Sequence, residues 1–216
     1  MKSGEPGEDD EQATSSGLTS TERRWVLRVL AVFVGVPVLL IVVMVVAGLV
    51  GGVWPPFVAV DTASMEPGLE RGDMVYVVDT DGTPSEDGTG ESGVVTAAQA
   101  DASGYEKFGA SGDVILYEPD GRDSEVPVIH RAMLYVEEGE NWVEDADPAA
   151  LGSANTCSDL DYVCPAPHSG YITRGDNNPT YDQVTRVSTV VKPEWVVGTG
   201  ELSIPYLGTV RLREGS

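Results

Sequence analysis

Three short polar segments, far apart in this chain of 216 residues, hold the side chains best suited to covalent chemistry. The first contains Ser64, the second His130, and the third Asp176 and Asp182. A serine that attacks a peptide bond needs a base to accept its proton, and a histidine oriented by a carboxylate is one such base. Residues of these types can perform acyl transfer at a serine if the fold brings them together.

The serine lies in Thr62-Ala63-Ser64-Met65-Glu66-Pro67-Gly68-Leu69-Glu70-Arg71-Gly72-Asp73. Pro67 fixes its own φ and biases Glu66 toward an extended backbone, while Gly68 and Gly72 permit tight bends. A bare Ser-x-x-Pro is more often a surface turn than a catalytic site. The length of this pattern favours a rigid segment that presents one hydroxyl.

Two residue types could supply the base. His130 lies in Val-Ile-His-Arg, inside a predicted strand that would fix its direction, whereas Lys107 lies outside any strand that the pattern predicts. A lone histidine in an apolar strand is usually structural, but the segments before and after it favour the catalytic interpretation. The other histidine, His168, falls in an irregular stretch and is predicted to lie at the surface.

An uncharged apolar run from residue 29 to residue 53 is long enough to span a bilayer. It predicts a membrane anchor over residues 23–53, after a disordered acidic tail over residues 1–22. The arginines that precede the run place the tail in the cytoplasm and residues 54–216 outside. A cleavable signal peptide, whose apolar core would be shorter, is the alternative.

The remainder is predicted to be mainly β, because short β-branched runs alternate with glycine-rich turns. Two acidic insertions interrupt it, near residues 79–111 and 137–169, and no helix is predicted after the anchor. Residues 187–191 and 209–212 are predicted as strands. Cys157 and Cys164, the two cysteines of the chain, could pair if they lie outside the cytoplasm, or could remain as two thiols.

The net charge of the chain limits the kinds of partner that it can bind. The chain has 35 acidic residues, 3 lysines and a net charge of -22. Binding to nucleic acid needs clustered basic residues, so nucleic acid is excluded as a partner. The acidity is typical of a protein that stays soluble at high salt, as in a halophilic archaeon, although a plain acidic surface would have the same composition.

The three segments resemble the motifs of type I signal peptidases, in the serine–histidine branch found in archaea and the endoplasmic reticulum. Ser-Met-Glu-Pro resembles the nucleophile motif, Val-Ile-His-Arg the base motif and Gly-Asp-Asn-Asn the aspartate motif. The resemblance implies Ser64 as nucleophile, His130 as base and Asp182 as the acid that orients it. It implies that Asp176 supports the site through hydrogen bonds and that Thr62 donates to the oxyanion.

The implied activity is cleavage of signal peptides from exported preproteins by a membrane-bound serine endopeptidase that has the signal-peptidase β-fold and needs no cofactor or metal. The implied partners are secretory preproteins, the lipid bilayer and the translocation machinery. Two alternatives remain. A non-catalytic acidic cell-surface module fits the anchor and the acidity equally well but does not explain three motifs in the correct order. A self-cleaving peptidase of the repressor type is disfavoured by the apolar run.

Overall fold

The computed structural model describes residues 20–80 and 93–207. Helix α1 (Ser20–Gly51) contains Pro37 and opens the described chain. An 18-residue window of its segment Arg23–Gly51 has a mean hydropathy of 3.2, and the segment is long and apolar enough to cross a membrane. The described residues divide into two compact units, one that ends at Val43 and one that begins at Met44, and the second contains all the strands described below.

The second unit is built on a six-stranded antiparallel sheet. Its strands are β1 (Phe57–Ala59), β2 (Met74–Val78), β5 (Val114–Tyr117), β6 (Val128–Val136), β7 (Gly170–Arg174) and β8 (Val196–Ile204), in the order β1-β2-β8-β5-β6-β7. Strands β3 (Glu106–Lys107) and β4 (Ala110–Ser111) form a separate pair. The prediction of a mainly β protein with one apolar N-terminal helix is confirmed.

Both faces of the sheet are covered, and strand β5 shows this most clearly because all four of its residues are buried. Val114 and Leu116 pack on one face with a cluster that includes Met65. Ile115 and Tyr117 pack on the other, because successive side chains of a strand point to opposite faces. The serine segment and the middle of the sheet therefore share one core.

The insertion at residues 137–169, hereafter the acidic insertion, packs as an ordered layer. It contains short 3₁₀ helices, and Trp142 is fully buried in its core. A disulfide joins Cys157 and Cys164, which answers the question that the sequence leaves open. The insertion therefore buries a substantial apolar cluster despite its acidity.

The acidic insertion also holds the segment that begins helix α3 (Asp182–Thr185). The backbone N–H of Tyr181 donates to Ala150 O at 3.1 Å, and the Tyr181 hydroxyl accepts from the Asp147 N–H at 2.9 Å. The Tyr162 hydroxyl donates to the carbonyl of Gln183. Residues on both sides of Asp182 are thus fixed by the acidic insertion.

Other predictions of secondary structure are wrong or lie outside the described residues. Helix α2 (Ala97–Ser103) occupies part of the stretch predicted to be irregular, because Thr96 and Gln99 form a capping box that starts it. Residues 187–191 do not form a strand, and Val191 pairs with Tyr171 only as an isolated bridge. The strand predicted at 209–212 lies outside the described residues.

Candidate active site

Ser64 sits in a compact series of turns between β1 and β2, on a segment anchored by two apolar side chains. Met65 and Leu69 are fully buried, and the Leu69 N–H donates to Met65 O at 2.9 Å. Ser64 itself is half-buried. The neighbours of Ser64 therefore hold the backbone in place while the hydroxyl remains accessible.

The turn that follows β7 packs directly against the backbone of Ser64. The Asn177 N–H donates to Ser64 O at 2.8 Å, and the Asn177 side-chain amide donates to Ala63 O at 3.1 Å. A Cβ at Gly175 would lie 2.6 Å from Ser64 O, so only glycine permits this approach. The Gly-Asp-Asn-Asn motif thus positions the serine segment, a role that the sequence reasoning did not assign to Asn177.

His130 connects the serine to the third motif. Its Nε2 lies 3.0 Å from Ser64 Oγ, and its Nδ1 lies 2.7 Å from Asp182 Oδ2. An ionised carboxylate can only accept, so Nδ1 carries the proton and donates to Asp182. Nε2 is then the acceptor that faces the Ser64 hydroxyl. The sequence predicted these three residues as nucleophile, base and orienting acid, and the structure brings them together in that order.

Asp182 is fully buried at the start of α3, and two further hydroxyls donate to the oxygen that faces His130. The Tyr117 hydroxyl lies 2.9 Å from Asp182 Oδ2, and Thr173 Oγ1 lies 2.7 Å from it. Burial, followed by the nearby charge of Asp182, raises the pKa of Tyr117 well above its usual value, so the phenol stays protonated. The sequence reasoning missed both hydroxyls.

Asp176 does not belong to the chain of hydrogen bonds from Ser64 to Asp182. Its two carboxylate oxygens accept from Arg131 Nε at 2.8 Å and from Arg131 Nη2 at 2.6 Å. Arg131 is buried and also donates to Gly112 O at 2.6 Å. Asp176 therefore pairs with the residue next to His130 on β6, which fits the supporting role that the resemblance implies.

The other candidate bases have different partners. Lys107 lies on β3, contrary to the prediction, and its ammonium group forms an ion pair with Glu201. His168 is half-buried rather than at the surface, because its ring lies edge-on to Trp195 at 5.4 Å between centroids. His130 is the histidine whose ring nitrogen faces Ser64 Oγ.

Thr62 lies close to the nucleophile, with its Oγ1 2.9 Å from Ser64 Oγ. Because the Ser64 hydroxyl donates to His130, Thr62 acts as the donor in this contact. A cleft of about 380 Å³ opens nearby, lined by Pro67 and Gly68 of the serine segment and by Arg131 and Asp176, among others. The site therefore has a candidate oxyanion donor, and the cleft lies beside the Arg131–Asp176 ion pair, with neither Ser64 nor His130 in its lining.

In comparisons with known proteins, no family model and no curated protein matches the chain. The geometry of the site therefore carries the functional argument.

Proposed function

We propose that this chain is a membrane-anchored serine endopeptidase that cleaves signal peptides from exported preproteins. The observation that carries the proposal is the continuous hydrogen-bonded series Ser64–His130–Asp182, with distances of 3.0 Å and 2.7 Å. Three residues separated by long stretches of sequence meet in the arrangement that serine peptidases use. The alternative of a non-catalytic acidic surface module gives no reason for this convergence.

The proposed mechanism follows from the direction of these hydrogen bonds. Ser64 Oγ attacks the scissile carbonyl and passes its proton to His130 Nε2, while Asp182 stabilises the imidazolium ion that forms. The oxyanion is stabilised by the Ser64 N–H and the Thr62 hydroxyl. His130 then protonates the leaving amine, and a second cycle with water hydrolyses the acyl-enzyme and releases the signal peptide.

The end of helix α1 supports a substrate that emerges from a membrane. Within the second unit, the Tyr76 hydroxyl of β2 donates to Ala47 O at 3.0 Å, and the Asp79 N–H donates to Gly51 O at 2.6 Å. The end of the apolar helix is thereby joined to the sheet that carries the catalytic residues. A signal peptide is cleaved just beyond its own apolar core, so a nucleophile close to the membrane surface suits this bond.

The proposal includes an orientation of the chain in the membrane. The arginines before the apolar run place the N-terminus in the cytoplasm by the positive-inside rule, and the catalytic unit outside. The Cys157–Cys164 disulfide agrees with a position outside the cytoplasm, because disulfides persist in oxidising surroundings.

The deciding experiment is cleavage of a preprotein by membranes that contain the wild-type chain or Ser64→Ala. We expect the wild type to release a mature product whose new N-terminus lies just after the apolar core of the signal peptide. We expect Ser64→Ala to release none while keeping the thermal unfolding of the wild type, because the half-buried hydroxyl contributes little to packing. Equal cleavage by both membranes would exclude Ser64 as the nucleophile and with it the proposed function.

The role of Thr62 makes a separate prediction. Thr62→Val keeps the shape of the side chain but removes the donor, so turnover should fall by about 10² to 10³, the usual cost of losing one oxyanion donor. Thr62→Ser keeps the hydroxyl and should stay active. The measurement is the rate of preprotein cleavage at saturating substrate, and equal rates for Val and Ser at this exposed position would remove Thr62 from the site.

A further inference from the structure

One oxygen of Asp182 accepts three hydrogen bonds. His130 Nδ1 donates to Oδ2, and so do the hydroxyls of Tyr117 and Thr173, at 2.7, 2.9 and 2.7 Å. The other oxygen, Oδ1, is buried and has no hydrogen-bond partner among the described residues. The carboxylate therefore accepts hydrogen bonds from two fully buried hydroxyls in addition to the His130 ring.

The sheet explains why these two hydroxyls meet at Asp182. Ile115 pairs with His130 and Ala132 pairs with Thr173 across antiparallel strands. Tyr117, two residues after Ile115, and Thr173 therefore extend from the same face of the sheet as the catalytic histidine. Both side chains are fully buried, so each hydroxyl must find its partner inside the protein.

We propose that Tyr117 and Thr173 are positioning residues that set the proton affinity of the His130 ring through their hydrogen bonds to Asp182. The inference rests on the proposed function only for the role of His130 as the base. Each hydroxyl that donates to Oδ2 weakens the attraction between that oxygen and the imidazolium ion. The ring is then neutral, and able to accept the serine proton, down to a lower pH than it would be with a bare carboxylate.

The direction of each bond is fixed by chemistry. The raised pKa of Tyr117, which results first from burial and then from the charge of Asp182, keeps the phenol protonated. The Thr173 hydroxyl has two acceptors in reach, Asp182 Oδ2 at 2.7 Å and the Tyr117 oxygen at 3.3 Å, and it donates to the nearer, charged one, while it accepts from Gln183 Nε2 at 3.4 Å. Charged side chains on the neighbouring elements have other partners: Arg131 with Asp176, Arg174 with Asp147, and Asp120 with Arg122.

The test measures the protonation of His130 directly, with no substrate. The full chain in detergent is titrated by NMR of its histidine rings, of which there are two, His130 and His168. Tyr117→Phe removes one donor and should move the midpoint for His130 upward by about half a pH unit or more. Half a unit corresponds to about 0.7 kcal/mol. The midpoint for His168, whose ring lies against Trp195, should not move.

The matched control is Tyr105→Phe. The Tyr105 hydroxyl donates to the carboxylate of Asp113 at 2.7 Å, so this variant also breaks a tyrosine–aspartate hydrogen bond, but one outside the catalytic series. It should leave the His130 midpoint unchanged. An unchanged midpoint in folded Tyr117→Phe, or the same upward shift in Tyr105→Phe, would overturn the inference.

Threonine 173 gives an independent second pair of variants. Thr173→Val should move the His130 midpoint in the same direction, and Thr173→Ser, which keeps the hydroxyl, should restore it. The acid limb of the pH–rate profile for preprotein cleavage should move by the same amount, so turnover near neutral pH should fall by no more than a few-fold. Equal midpoints for Val and Ser would overturn the role of Thr173. Shifted midpoints in a chain that cleaves no preprotein would refute the proposed function and support this inference.

Discussion

Replacing His130 with alanine should lower the turnover of preprotein cleavage by about 10⁴ to 10⁶, the usual cost of losing the base of a serine triad. The reason is that Nε2, 3.0 Å from Ser64 Oγ, is the acceptor for the serine proton. His130 is 7% exposed, so its loss also leaves a small cavity, and thermal unfolding must show that the variant is folded. The measurement is the single-turnover rate with one preprotein.

Lys107→Ala is the matched control, because serine–lysine signal peptidases use a lysine as the base. In this structure the Lys107 ammonium group is paired with Glu201, so its removal should leave turnover within a few-fold of the wild type. The opposite pattern, an active His130→Ala beside an inactive Lys107→Ala, would establish the serine–lysine mechanism for this chain.

The second prediction with a large effect distinguishes the roles of Asp182 and Asp176. Asp182→Ala should lower turnover by about 10⁴, the usual cost of losing the acid of a serine triad, because His130 Nδ1 then has no carboxylate to orient it. Asp176→Ala should mainly lower stability, by about 3 kcal/mol or more, because it leaves the buried Arg131 guanidinium without its counter-charge. Cleavage rates and thermal unfolding of both variants are the measurements.

An asparagine at position 182 refines the test. The amide keeps the shape of the carboxylate, but its nitrogen donates where the carboxylate accepts. With that nitrogen toward His130, Nδ1 becomes the acceptor and Nε2 carries the proton, so the ring cannot accept from Ser64; with the nitrogen in the place of Oδ1, which has no hydrogen-bond partner among the described residues, its N–H donors are buried and unsatisfied. Asp182→Asn should therefore be folded and nearly inactive, with turnover lower by about 10⁴. A dead Asp176→Asn beside a nearly active Asp182→Asn would exchange the roles of the two residues.

The strands and the candidate catalytic residues were the parts that the sequence predicted best. Strand β2 can be read from the sequence, since Met-Val-Tyr-Val-Val is a short run rich in valine between two turns. Ser64 and His130 could be named because each lies within a motif, and Asp182 because it follows the Gly-Asp-Asn-Asn motif by four residues. Helix α2 was missed because it is only seven residues long, and its signal is a single capping box within an otherwise irregular composition.

The hydroxyls on Asp182 could not be predicted in the same way. Tyr117 and Thr173 each look like ordinary strand residues, and their shared face depends on the register between β5, β6 and β7. That register is a long-range property, which no local pattern encodes. The contact of Asn177 with Ser64 O has the same origin, because it joins a loop before β2 to a turn after β7.

The way in which the acidic insertion holds Tyr181 and Gln183 bears on protein engineering. In the sequence, residues 137–169 look like a removable elaboration, and a designer who wanted a minimal peptidase would delete them first. Deletion would take away the acceptor for the Tyr181 N–H and the phenol that donates to Gln183 O, on either side of the orienting acid. The shortened chain would keep Ser64 and His130 but lose the contacts that fix the backbone on either side of Asp182. Any truncation must therefore replace these contacts with new ones to α3.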